Sequence, residues 1–397
     1  MSATQRPRGA VVLGADYRAL GVVRSLGRHG VPVWVLAERA ESLALVSRYA
    51  RRSMRWPRGG DDERAPFLRE LAISKGLEGW ALIPSTDRAA AMLARSHGEL
   101  AEHYTHTAPP WDVIRWAYDK RLTYGLARRV GVPCPWTVWG GAALDAATAN
   151  APFPVVLKPA VKEGSNALAT AKAWRVEDRR YLEDRYAEAC GLVDPEVLMV
   201  QEFIPGGGEA QFSYTALCRD GAPLAAVTAR RTRQYPAEFG RASTFVETVE
   251  CPEVVEPSLR LLREIRYTGL IEIEYKRDPR DGVLKLLDMN PRVWGWHTLC
   301  ARAGVDFPWL LWLLVSGQEL PPTRARDGVR WLRFSTDMPT ALRELLRRRL
   351  SAREYARSLR WPRESAIFAW DDPLPGLIEM PVLAYTVVRR LLAREPV

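Results

Sequence analysis

Along the first forty residues, short unbroken apolar runs flank one amphipathic stretch. Residues 9–14 and 31–36 are apolar runs of strand length, and residues 17–29 between them repeat their apolar positions every three or four residues. This reads as strand, helix, strand, a βαβ start that calls for a parallel sheet with ligands at the strand carboxyl ends. A later strand over 80–84 runs into Ser85-Thr86-Asp87, where Asp87 either caps the next helix or meets a substrate. Pro109-Pro110 opens an amphipathic helix that runs through Val130 and is ended by Gly131 and Pro133.

From there the pattern changes to strands. Residues 153–159 form a buried strand with Lys158 at its end, and 197–204 form another, stopped by Pro205-Gly206-Gly207-Gly208. Strands follow at 211–217 and 224–233, the second after an Asp220-Gly221 turn. Then come a helix over 256–266, a hairpin whose turn is 277–282, and an apolar helix over 307–315. Alternation in the hairpin puts Glu272 and Glu274 on one face of its first strand, and Asp288, Asn290 and Arg292 on one face of its second. After Pro321-Pro322 the composition shifts. A basic amphipathic helix spans 340–350, and 380–392 is apolar with late arginines.

The hairpin carries the chemistry. Carboxylates and a carboxamide oxygen are hard donors that suit Mg²⁺ bridged to phosphates, which needs only one or two carboxylates. Arg292 beside them offers a planar fork for a phosphate or a carboxylate. Lys158 at the end of a buried strand needs an anion, because a desolvated ammonium is costly. These features together read as a nucleotide site. The first turn, 14–21, lacks the second glycine of the dinucleotide fingerprint, and the Asp16 carboxylate would repel a pyrophosphate, so NAD is excluded there. An amine-bearing or hydroxylated substrate beside Asp16 and Arg18, with Asp87, fits that position.

Asp288-Met289-Asn290-Pro291-Arg292, closing a hairpin whose first strand carries Glu274, resembles the metal-binding signature of the ATP-grasp superfamily. The resemblance spans roughly residues 9–320. It implies a Rossmann-like α/β domain over 1–108 and a two-lobed α+β ATP-grasp domain over 109–322, with a small lobe at about 135–204 and a large lobe at about 205–322. A basic, mainly helical extension over 323–397 follows. It further implies that Glu274, Asp288 and Asn290 hold Mg²⁺ (or Mn²⁺), with Glu272 as a spare ligand or structural partner. Lys158, Lys120 and the loop 160–167, with Lys162 and Ser165, contact ATP phosphates. Gln201-Glu202-Phe203-Ile204 resembles the hinge that reads adenine through its backbone, with Ile204 supplying an amide and Glu202 contributing no more than its main chain. Glu209 takes the ribose hydroxyls. Arg231, Arg233 and Arg292 offset phosphoryl charge or hold a substrate carboxylate, and Trp294 and Trp296 are core residues or a substrate wall.

The activity implied is ATP-dependent ligation of a small carboxylate to an amine, by way of an acyl phosphate. A small-molecule kinase on the same fold, and a non-catalytic nucleotide-binding or membrane-docking module, are the alternatives. Composition agrees with a bacterial, cytoplasmic enzyme. Seven lysines against abundant arginine look like high-GC coding bias, so the basic balance does not point to nucleic acid. Fifteen arginines against nine acidic residues after Pro322 supply +6 of the formal +10. Five scattered cysteines suit a reducing compartment, and five histidines form no ligand cluster. The N-terminus lacks the apolar core of a signal peptide, and no run is long enough to cross a bilayer. The tail either packs on the body, meets a second copy in a homodimer, or touches an anionic membrane surface.

Overall fold

The computed structural model describes residues 6–39, 42–140, 149–161, 168, 173–235, 240, 242–360 and 363–392, with side chains as far as residue 385. The apolar runs near the N-terminus become a parallel sheet of five strands, β1 (Ala10–Leu13), β2 (Val33–Ala37), β3 (Ala50–Arg55), β4 (Ala81–Pro84) and β5 (Thr105–His106). Their spatial order is β3-β2-β1-β4-β5. β1, β2 and β4 are buried throughout, as a sheet covered on both faces requires. β3 lies at an edge and exposes Arg51 and Arg52, charges that discourage pairing with another chain. Gly14 ends β1 with φ +114°, and a Cβ there would fall 2.2 Å from the Ser85 hydroxyl at the end of β4. A side chain at Gly14 would therefore separate the strand ends that present Asp16 and Asp87.

Two further sheets follow. The smaller consists of β6 (Thr137–Trp139), β7 (Val155–Pro159), β8 (Trp174–Val176) and β9 (Leu198–Glu202), in the order β6-β9-β7-β8 with every pair antiparallel. The larger holds β10 (Gln211–Arg219), β11 (Ala222–Tyr235), β12 (Ala242–Thr248), β13 (Gly269–Arg277), β14 (Leu284–Asn290), β15 (Arg330–Leu332) and β16 (Arg363–Ser365). Its order is β14-β13-β10-β11-β12-β15-β16. The fold is thus the expected α/β sheet followed by a two-lobed α+β unit. One apolar core runs from Val12, Leu20 and Val35 through Trp294, Trp296 and Phe307 to Trp331, joining the parallel sheet to the large lobe. The helix Tyr17–Arg28 approaches the large lobe so closely that a Cβ on Gly21 would lie 2.5 Å from the His297 ring.

One expectation needs correction. The single helix over 110–130 is two helices, Trp111–Tyr118 and Lys120–Arg129, broken at Asp119. Asp119 adopts extended backbone (φ −102°, ψ 114°) and its carboxylate caps the second helix by accepting from Arg121 N. The break makes Lys120 the first residue of that helix, with its backbone N–H donating to Ala160 O at the end of the small-lobe strand β7.

The extension beyond residue 322 is mainly helical, as expected, with helices Phe334–Leu346, Ala352–Ser358 and Leu374–Leu392, and it adds two short strands. β15 pairs antiparallel with β12, and β16 pairs parallel with β15, so the large-lobe sheet continues into the extension. Asp372, buried, accepts from Arg24 and Ser47. Its neighbour Asp371 accepts from Arg28 and Tyr49. The end of the chain is strapped back onto the first helix of the parallel domain.

Candidate active site

The β13–β14 ladder sets Glu274 directly opposite Asp288 and Glu272 directly opposite Asn290, as strand alternation predicts. Asn290 Nδ2 donates to Glu274 Oε1 at 2.8 Å and to Glu272 Oε2 at 3.1 Å. Glu272 is deeply buried and also accepts from Ser213 Oγ (3.2 Å) and from the Trp296 indole N–H (3.0 Å). Burial, then the negative charge of Glu274, push Glu272 up to about 7. It is the inner member of the acidic group, and Glu274 and Asp288 are the outer ones.

Cations reach this group from two separate elements, and a third approaches through a tyrosine. The ammonium of Lys120, at the start of its helix, forms a buried ion pair with Asp288. Arg231 on β11 donates to Glu274 Oε2 at 3.0 Å and to Gln211 Oε1 at 2.9 Å. Lys158 on β7 donates to the Tyr124 hydroxyl at 3.4 Å, and that hydroxyl donates to Leu287 O on β14 at 3.0 Å. The small-lobe lysine is therefore tied to the acidic strand through one buried tyrosine. A cleft beside the group is lined by Asp87, Ala117, Tyr118, Lys120, Asp288 and Asn290.

Of the remaining arginines, Arg233 departs from expectation and Arg292 stays beside the site. A β-bulge at Arg231–Gln234 breaks the alternation that would have put Arg233 beside Arg231. Arg233 instead forks onto the fully buried Asp337 with two 2.8 Å hydrogen bonds, and donates to Ser358 Oγ at 3.1 Å. Arg292 lies past the end of β14. It grips Asp87 bidentately at 2.9 and 3.1 Å, and it donates to Asn290 Oδ1 at 3.1 Å. Asp87 does not cap its helix, since Thr86 Oγ1 does so by accepting from Ala89 N, which leaves the Asp87 carboxylate to bridge the parallel domain to Arg292. Asp16 caps the helix Tyr17–Arg28 and pairs with Arg18 at 2.6 Å.

At the hinge, the side chain of Glu202 is engaged rather than idle. It is buried and accepts from Trp136 N (3.0 Å), Arg280 (2.7 Å) and Lys285 (2.9 Å). Ile204 is buried, and its carbonyl accepts from Lys276 Nζ at 2.8 Å; the same ammonium donates to Gly206 O at 2.7 Å. Glu209 is exposed in a short 3₁₀ turn and accepts from Gly207 N. Lys162 and Ser165 lie outside the described residues.

Sequence reading missed Tyr124, Gln211, Ser213, Trp296 and Lys276. Ser213 was within reach, since it sits opposite Glu274 on β10, two residues from Gln211, which faces Lys276. Tyr124 and Trp296 read as ordinary apolar positions, and only tertiary contact reveals their polar ends. Among the described residues, no three or more His, Cys, Asp and Glu side chains gather at metal-binding spacing. The donor set of Glu274, Asp288 and the Asn290 carboxamide still fits a hard divalent cation whose remaining ligands are phosphate oxygens and water.

Residues 194–334 match the family described as ATP-grasp in the biosynthetic pathway with Ter operon. Biotin carboxylase from Campylobacter jejuni, in complex with an ATP analogue, is similar in structure with TM-score 0.64 at 16% identity. The match covers 80% of this chain and 73% of that one. The L-amino acid ligase of Bacillus licheniformis aligns with TM-score 0.59 at 15% identity over 78% and 75% of the two chains. N5-carboxyaminoimidazole synthetase from Staphylococcus aureus aligns with TM-score 0.60 at 14% identity over 81% and 80%. No curated protein matches the sequence. At such identities the likeness is one of fold.

Proposed function

We propose that this chain is an ATP-grasp protein and acts as an ATP- and Mg²⁺-dependent ligase joining a small-molecule carboxylate to an amine. The observation that carries the reading is the register of β13 and β14. It sets Glu274 against Asp288 and Glu272 against Asn290, where Lys120 and Arg231 arrive from other elements, with a cleft on the Lys120–Asp288 side. Lys120 and Lys158 bind phosphate oxygens of ATP, the Ile204 amide reads the adenine edge and Glu209 accepts from the ribose hydroxyls. Glu274, Asp288 and Asn290 hold Mg²⁺, which when bound offsets the phosphate charge. Arg231 stabilises charge on the transferred phosphoryl group, and Arg292, held in place by Asp87, orients the substrate carboxylate.

A carboxylate oxygen attacks the γ-phosphorus and ADP leaves. The amine then attacks the acyl carbon of the acyl phosphate, phosphate leaves and the amine gives up a proton. Positioning and electrostatics carry both steps, without a covalent protein nucleophile. The test is ADP release across panels of acids and amines. Release that requires both, with an amide as product, supports ligation. A stable phosphorylated product from one substrate alone would identify a kinase instead.

A further inference from the structure

The helices Phe334–Leu346 and Leu374–Leu392 present apolar side chains to solvent on the side away from the core. On the first, Phe334, Met338, Leu342 and Leu346 recur every four residues and are 46–78% exposed, while Asp337, Thr340 and Ala341 face inward. On the second, Ile378 packs on the core while Leu377 and Met380 are 65% and 54% exposed. Trp370, in the turn before this helix, is 90% exposed. Glu379 accepts from Ser335 Oγ at 2.5 Å and pairs with Arg333 at 3.5 Å, which makes the two helices neighbours. Isolated exposed leucines are normal, but two adjoining apolar helix faces with an exposed tryptophan mark a surface that something covers.

Charge chooses the occupant. Arg343, Arg347, Arg348, Arg349 and Arg353 are all exposed at the far end of the first stripe, and none has an ion pair among the described residues. Of the nearby acids, Glu344 is half-buried and Glu354 is spent capping its own helix at Ser351. A second copy of this face would offer those arginines no acidic patch in return. An anionic bilayer accepts both features, with arginines at the headgroups, leucines at the acyl boundary and a tryptophan between. We propose that this face docks on an anionic membrane surface, lying on it rather than spanning it. Among the described residues, no single helix is long and apolar enough to cross.

The test is flotation of the full-length protein with phosphatidylcholine vesicles and with phosphatidylglycerol–phosphatidylcholine vesicles, at low and high salt. The protein should rise with the anionic vesicles only and be released by salt. Leu342→Glu with Leu346→Glu, or Leu377→Glu with Met380→Glu, should weaken binding at least ~10-fold. Replacing Arg347, Arg348 and Arg349 by Gln should weaken it by ~100-fold. These positions are on the surface, so circular dichroism and melting should match the parent. No flotation on anionic vesicles overturns the proposal, as does flotation that the variants leave unchanged. A dimer in sedimentation that the leucine variants abolish, with no vesicle binding, overturns it in favour of a second copy. None of these readings requires nucleotide, so they stand apart from the ligase assignment.

Discussion

The two ends of the β13–β14 hairpin use the same residue types to opposite effect. At the turn end, Asp278 is fully buried and accepts from Arg280 and Lys285, which also reach Glu202 across the lobe boundary. Hydrogen bonds from Arg280, with Lys285 adding to them, hold Asp278 well below the usual carboxylate range despite its burial. At the strand end, burial and a second carboxylate push Glu272 the other way, up to about 7. Opposite shifts on neighbouring carboxylates separate a structural cluster from a chemical one. Where cations come from the hairpin's own turn, each carboxylate is matched and the cluster is a brace. Where carboxylates crowd one another and their cations come from distant elements, the arrangement suits the metal and phosphate site proposed above.

Breaking the strand end should produce the largest change in turnover. Asp288→Asn keeps shape and a hydrogen-bond acceptor for Lys120 but removes a ligand charge. Acid- and amine-dependent ADP release should fall by ~10³-fold with a near-parental melting profile. Release within a few-fold of the parent would remove Asp288 from the site. Alanine is a poorer probe here, because it would strand a buried lysine. At the turn end the effects should reverse. Asp278→Ala leaves Arg280 and Lys285 with Glu202 as their remaining hydrogen-bond acceptor and should cost about 1–3 kcal/mol in urea unfolding, while turnover per folded molecule stays near the parent value. Stability loss below 1 kcal/mol (about the worth of an exposed ion pair) would contradict the brace.

The arginines of β11 sharpen the same contrast within one strand. Arg233→Met leaves the buried Asp337 without its cation, with Thr244 still donating to it, and should cost about 3 kcal/mol of stability, with little change in turnover. Arg231→Lys loses the fork between Gln211 and Glu274 and should lower turnover by ~10²-fold with a smaller stability change. The reverse pattern would exchange their roles. The smallest effect concerns acid. Because the folded-state Asp278 is held below its unfolded value of about 3.9, its stabilisation is present above about pH 4 and lost as pH falls through the folded value. Asp278→Asn should therefore show a shallower loss of melting temperature between about pH 4 and pH 2. Parallel curves would place the acid sensitivity elsewhere.

Much of the layout was legible because it follows from local periodicity. Unbroken apolar runs marked β1, β2 and β4 as strands buried on both faces. Period-two alternation put Glu272, Glu274, Asp288 and Asn290 on facing sides of one hairpin, and the register bears this out. Local patterning could not reveal the break at Asp119, because the apolar spacing continues across it on both sides. A bulge was equally invisible, and it sends Arg233 away from Arg231 to a buried aspartate more than a hundred residues downstream.

The chain by itself determined which segments are strands and helices and which charged side chains share a face, since these depend on neighbours within a few residues. Tertiary structure alone decided which charges are spent on each other. Glu202 met Arg280 and Lys285, Asp87 met Arg292, and the helical tail beyond residue 322 added two short strands to the large sheet and a strap over Arg24 and Arg28. The physical reason is that a buried charge must find an opposite charge wherever the fold brings one, and sequence distance says nothing about where that will be.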